Sequence, residues 1–169
     1  MESHIYRYKI TLKQQAILLS HMVIIWIGLM VGCVYLLKIN LNNIAFIYIA
    51  IFCLLIDTIP TVILHTQYWI KNHEVVFLIN TDVKELQYET PTKQLKYSFT
   101  DITSLQYYRN LGKGSGWNSF GEYRYYKIIF NDEIEIIITC LMINDIENTL
   151  EMLLCMKAEE HAKLLCLIE

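Results

Sequence analysis

Two long apolar runs constrain this chain before anything else. Residues 15–37 (QAILLSHMVIIWIGLMVGCVYLL) and 44–64 (IAFIYIAIFCLLIDTIPTVIL) hold one formally charged side chain between them, Asp57. About 20 helical residues cross a hydrocarbon core, so each run reads as a membrane-spanning helix. A cleaved signal peptide has a shorter apolar core, roughly 7 to 15 residues, followed by a small-residue cleavage site. The first run ends instead in YLLKINLNN, which marks it as retained. Only KINLNN separates the two runs, so they form a tight antiparallel hairpin with both chain ends on one side. Arg7, Lys9 and Lys13 precede the hairpin and Lys71 follows it, whereas the turn offers Lys38 alone. The positive-inside bias then places both termini in the cytoplasm. The expected organisation is a cytoplasmic segment 1–14, a hairpin 15–64 in an inner (cytoplasmic) membrane, and a cytoplasmic domain 65–169.

Composition agrees: 54% of residues are hydrophobic and 18% charged, against about a quarter charged in ordinary soluble domains. From residue 65 onward ten Lys and Arg face fifteen Asp and Glu, a formal balance of five negative charges. Nucleic acid is excluded as a partner on that ground, because phosphate backbones need clustered cations. Generic adhesion to anionic lipid fails for the same reason. Cys33 and Cys53 lie in the apolar runs, and Cys140, Cys155 and Cys166 have no paired spacing, as expected in a reducing compartment.

After residue 65 the pattern changes to alternation. Val76 and Leu78, then Val83, Leu86 and Tyr88, read as short strands broken at Asn80-Thr81-Asp82. Pro91-Thr92 marks a turn, and 95-LKYSF-99 places Leu95, Tyr97 and Phe99 on one face. The runs 123-YRYYKIIF-130 and 134-IEIIIT-139 flank Asn131-Asp132-Glu133 as a hairpin, with Ile134, Ile136 and Ile138 directed to the core. From Leu141 the period becomes helical. Asn144 and Glu147 have capping-box spacing, and Ile146, Leu150, Leu153, Leu154, Leu164 and Leu165 continue one amphipathic helix whose wet face carries Glu147, Glu151, Glu159 and Glu160. The expected order is two membrane helices, six or seven antiparallel strands, then one C-terminal helix.

That layout, with 97-YSFTDITSL-105 and then YRYYKIIF…EIEIIITCL running into a capped helix, resembles the bacterial membrane-anchored pleckstrin-homology-like (PH-like) proteins over roughly residues 66–157. The resemblance implies an α+β fold, a PH-like antiparallel barrel or sandwich capped by a C-terminal helix. It also implies a non-catalytic binding or scaffolding module, expected to hold a protein partner at the membrane, with no cofactor. Eukaryotic members often bind phosphoinositides through a basic loop between their first strands. Here 78-LINTDVKEL-86 sets one Lys against Asp82 and Glu85, so phosphoinositide binding is not expected.

The glycine-rich stretch 109-RNLGKGSGWNSFG-121 invites a nucleotide reading and fails it. Aligned on Gly112-Lys113, the phosphate-loop pattern puts Tyr107 at the first glycine and Gly114 where Ser or Thr belongs. The dinucleotide pattern ends on Trp117 or Ser119, and a strand follows instead of a helix. Two readings remain: a flexible inter-strand connection, or a partner-binding loop made by Arg109, Gly112, Lys113, Gly114, Gly116, Trp117 and Arg124. The five tyrosines Tyr107, Tyr108, Tyr123, Tyr125 and Tyr126 beside Arg109 and Arg124 read as cross-strand packing or an aromatic patch. Asp57, with Pro60 beside it, is the intramembrane polar candidate. It either contacts another membrane subunit or a proton, as in an oligomeric channel or transporter, or bonds within the hairpin to Ser20 or His21. His4, His21, His65, His73 and His161 form no metal-ligand spacing, and Gly114-Ser115-Gly116 has no base beside it.

Overall fold

A computed structural model describes residues 4–39, 44–111 and 118–168. The chain forms β1 (Ile5–Tyr8), α1 (Leu12–Ile39), α2 (Ile44–Asn72), β2 (Val76–Asn80), β3 (Glu85–Glu89), β4 (Gln94–Ser98), β5 (Ile102–Asn110), β6 (Arg124–Phe130), β7 (Glu135–Thr139), α3 (Ile146–Leu154) and β8 (Glu159–Lys163). One sheet has the order β1-β2-β3-β4 and the other β7-β6-β5-β8. This is an α+β sandwich of two four-stranded layers.

A strand precedes the two helices. Ile5–Tyr8 pairs antiparallel with β2, Ile5 opposite Asn80 and Tyr8 opposite Phe77, so the helical hairpin is inserted between the first two strands of the domain. Four residues with no strand on the other side left a weak period-2 signal, and pairing across both helices is invisible to local patterning.

Both helices are longer than their apolar runs. Thr11 caps α1 in a reciprocal box: the Gln14 amide donates to Thr11 Oγ1 at 3.3 Å, and the Thr11 amide donates to Gln14 Oε1 at 3.0 Å. The same Gln14 donates through Nε2 to Met142 O at 2.7 Å, which ties the helix start to the loop after β7. Trp26 Nε1 donates to Thr58 Oγ1 at 3.0 Å across the hairpin. Two stretches, Leu12–Gly32 and Tyr48–Asn72, are long and apolar enough to cross a membrane, and they are 6% and 17% buried.

The last four turns of α2 lie on the second sheet. Asp57, Thr61, Leu64, Tyr68 and Asn72 follow one another at three- and four-residue spacing, so they form one stripe, and each is at most 6% exposed. At its end Asn72 acts as a short piece of strand. Its Nδ2 donates to Ile137 O at 2.9 Å, and its Oδ1 accepts from the Thr139 amide at 3.1 Å. This explains why Ile136, Ile137, Ile138 and Thr139 are all buried where alternation predicts one face in water. The α2 helix covers one face of β7 while the sandwich interior covers the other.

The C-terminal helix also differs from expectation. Asp145, not Asn144, precedes its first turn and makes no side-chain cap; its carboxylate accepts from Asn148 Nδ2 at 3.0 and 3.1 Å, and the Glu147 carboxylate accepts from Tyr107. The helix stops at Leu154, where Cys155 turns left-handed with φ 53°. Leu164 and Leu165 therefore lie outside it. Residues 159–163 pair parallel with β5, and the end of the chain is held by α2. Gln67 exchanges two hydrogen bonds with the Ile168 backbone, at 2.7 and 3.0 Å, and Tyr68 Oη donates to Cys166 O at 2.7 Å. Backbone pairing at long range overrides a segment, EEHAK, with no strand propensity of its own.

Asn72→Ala should expose this dependence, because it leaves a buried N–H and a buried C=O unpaired at about 1–3 kcal/mol each. A thermal unfolding midpoint in detergent well below that of the exposed-site control Ile70→Ala is the expected outcome; equal midpoints would show that the Asn72 contact contributes nothing.

Candidate functional site

The two features singled out in the sequence, Asp57 and the glycine-rich stretch, meet. Residues 112–117, with Gly112, Lys113, Gly114, Gly116 and Trp117, lie outside the described residues. Ser119 lies just beyond them and is fully buried against α2. Its amide donates to Asp57 Oδ1 at 2.7 Å and its hydroxyl to Asp57 Oδ2 at 2.5 Å. Thr61 Oγ1 donates to Asp57 O at 2.7 Å and stands 2.7 Å from Ser119 Oγ. Each hydroxyl has one proton, so the Thr61–Ser119 contact competes with the bonds to Asp57 rather than adding to them.

The local reasons are readable. Pro60 has no N–H and sits inside α2, where it removes a backbone donor, and Thr61 bonds back to the carbonyl of Asp57 one turn earlier. Asp57 thus presents both carboxylate oxygens sideways to the 118–122 segment, where a short 3-10 turn (Phe120–Glu122) begins. Among the described residues the Asp57 carboxylate bonds to Ser119 and to neither proposed hairpin partner; Ser20 Oγ donates to Ile17 O at 2.6 Å instead. Asn110 completes the junction: its Nδ2 donates to Tyr123 O at 3.1 Å and to Phe120 O, and its Oδ1 accepts from the Cys166 amide at 2.6 Å. The end of β5, the 3-10 turn and the chain terminus are knotted at one fully buried side chain.

Arg109 and Arg124, expected to belong to a partner-binding loop, stand directly opposite each other on β5 and β6. Two like charges in register repel, and each is neutralised within the chain. Arg109 Nε donates to Glu160 on β8. Arg124 reaches Glu122 at 3.3 Å and Asn144 O at 3.3 Å, while its Nε is buried without a partner among the described residues.

The tyrosines are packing, in two layers. Tyr107 and Tyr126 stack at 4.8 Å beneath α3, and Tyr108 and Tyr125 stack at 4.7 Å on the α2 side. Tyr68 meets Tyr123 and Tyr125 edge-on at 5.5 and 6.0 Å. The Tyr126 hydroxyl is bonded to Glu147 O and Glu151. Burial first, then Glu151, holds the Tyr126 phenol well above its ordinary range. Burial also pushes the Cys140 thiol up to about 12 and that of Cys166 to about 11, so neither offers a thiolate at neutral pH. Among the described residues no three His, Cys, Asp or Glu side chains come together as a metal site.

What sequence reasoning missed is the buried stripe on α2. Its signal was available in part: Asp57, Thr61 and Asn72 share one face of α2, but Thr58, Thr66 and Gln67 fall off that face and blur the pattern. Removing one side of the clasp should separate its two hydrogen bonds. Asp57→Asn keeps an acceptor for the Ser119 amide, whereas Asp57→Ala leaves that buried N–H unpaired. Hydrogen exchange at Ser119 should be slow in the first and fast in the second, and equal exchange in both would deny the contact.

The loop between the first two strands, where the resemblance puts a ligand-binding segment, is the helical hairpin itself. The stretch 78–86 instead joins β2 to β3. Comparison with curated proteins and with solved structures found no match. A family model described as PH domain matches residues 6–149, continuously from β1 through the inserted hairpin into α3. PH domains are generally non-catalytic binding modules. With the inserted hairpin, the two antiparallel layers and the helix that follows them all inside the matched span, the chain belongs to the PH domain family.

Proposed function

We propose that this protein is a non-catalytic PH-like scaffold of the bacterial inner membrane, holding a protein partner at the cytoplasmic surface. The observation that carries the reading is the pair of inserted helices. At about 1.5 Å per residue, the 28 residues of α1 extend for roughly 42 Å, and α2 matches that reach only with the turns that also lie on the second sheet. Core helices of a soluble protein pass the same length test but are mostly buried, and these are not. Val23, Ile24 and Ile27 on α1, and Phe52, Leu55 and Ile56 on α2, face outward. A surface this apolar is stable in hydrocarbon and a liability in water.

The partner is a protein by chemistry. The domain is acidic, Arg109 and Arg124 are paired internally, and the first inter-strand connection is a hairpin instead of a basic loop, so phosphates find no basic loop there to bind. The outer strands β1 and β4 of the first sheet leave backbone groups open to an added strand, a common mode of protein recognition. Because α2 is clasped to the second sheet, the domain is held at one orientation to the membrane plane and its edges face a fixed direction.

Cys155 is exposed and Cys140 and Cys166 are buried, so thiol topology reads the arrangement. A membrane-impermeant maleimide should label the protein only after cells are permeabilised, and Cys155→Ser should remove the signal. Labelling in intact cells would place the domain outside, and release by alkaline carbonate would remove the anchor. Cross-linking in cells with no protein recovered would sink the scaffold role.

A further inference from the structure

The end of the sandwich away from the hairpin contains a cavity of about 450 Å³, a size within the roughly 300–1,000 Å³ range of small-molecule sites. Three segments enclose it: Thr81 and Lys84 of the β2–β3 turn, Phe99 and Thr100 after β4, and Met152–Met156 at the end of α3. Lys84 and Cys155, which line it from the turn and from the helix end, both adopt left-handed backbone, φ 54° and 53°. The walls are apolar, from Phe99, Leu153 and Leu154, and Met152 and Met156 supply pliable side chains that adapt to an occupant.

One cationic residue, the exposed Lys84, lines the cavity. Lys84 takes part in none of the ion pairs formed among the described residues. The neighbouring carboxylates are engaged elsewhere: Asp82 accepts from the His4 amide, Glu85 pairs with Lys96, and Glu151 accepts from Tyr126 and the Ala158 amide. The Thr81 and Thr100 hydroxyls already donate, to His4 O and Ser98 Oγ, which leaves the ammonium as the polar anchor. An apolar cavity with one cation at its mouth is complementary to an apolar chain that ends in an anion.

We propose that this cavity binds a single-chain amphipathic anion, the alkyl chain against Phe99 and Leu154 and the carboxylate or phosphate head on Lys84. The strand β2 leads from the end of α2 to this turn, about 17 Å at 3.4 Å per residue. The ligand therefore arrives from water as a monomer instead of being drawn from the bilayer. Only this choice of source rests on the hairpin lying in a membrane; binding itself is read on the purified full chain.

The test is calorimetric titration of decanoate, below its micellar concentration, into the full chain in nanodiscs, with empty nanodiscs as the blank. Decanoate should bind once per chain, decanol and decyltrimethylammonium should bind more weakly, and Lys84→Gln should weaken decanoate about tenfold or more, as loss of a charged hydrogen bond does. Met152→Trp, at a side chain that is 68% exposed and so tolerant of replacement, should close the mouth and abolish binding. Heat indistinguishable from empty nanodiscs, decanol binding as tightly as decanoate, or full affinity in Lys84→Gln would each overturn the proposal. A co-purified phospholipid that decanoate displaces would overturn the water-borne source.

Discussion

Everything above the hairpin is arranged around one stripe of α2, Asp57 to Asn72, whose side chains finish hydrogen bonds that the sheets cannot finish alone. Asp57 satisfies the Ser119 amide, Gln67 the Ile168 backbone, Tyr68 the Cys166 carbonyl and Asn72 the backbone of β7. A buried amide or carbonyl without a partner costs about 1–3 kcal/mol, so these bonds decide where the helix lies. Leu64 and Tyr68, both fully buried, supply the apolar contact, but they would tolerate small shifts that directional bonds would not.

Insertion makes this possible. Because β1 precedes the hairpin and β2 follows it, the two strands close around the helices and pair, Ile5 with Asn80. The hairpin cannot swing as a tether would, since both of its ends enter the same sheet. Gln14 adds a second tie by bonding to Met142 O while it caps α1. The second sheet is consequently covered on both faces, by α2 on one and by α3 with the first sheet on the other. Its tyrosines sort into two stacked layers for that reason, and the hydroxyls of Tyr107, Tyr125 and Tyr126 find acceptors on α3 and the terminal strap. The helices and the sheets are thereby joined without a separate linker.

Local chemistry was legible where a single segment decides its own structure. The apolar runs, the β2, β3 and β4 strands, the β6–β7 hairpin and the start of α3 follow from periodicity that neighbouring residues share. The failed phosphate-loop and dinucleotide alignments were legible too, because those motifs require particular residues at fixed offsets. Reading failed at the ends. The segment EEHAK became a strand, and Leu164 and Leu165 left the helix, because their partners lie on β5 and α2.

The amino-acid sequence by itself determined that this chain has two helices able to cross a membrane, an alternating sheet region and an amphipathic helix, since burial period is a property of a few consecutive residues. Only the tertiary structure decided that the hairpin belongs inside the sheet, that Asp57 holds Ser119 across 62 positions, and that the chain terminus ends under α2. Those choices are made by backbone donors and acceptors, which every residue but proline carries in full. Composition therefore does not reveal which of them will meet.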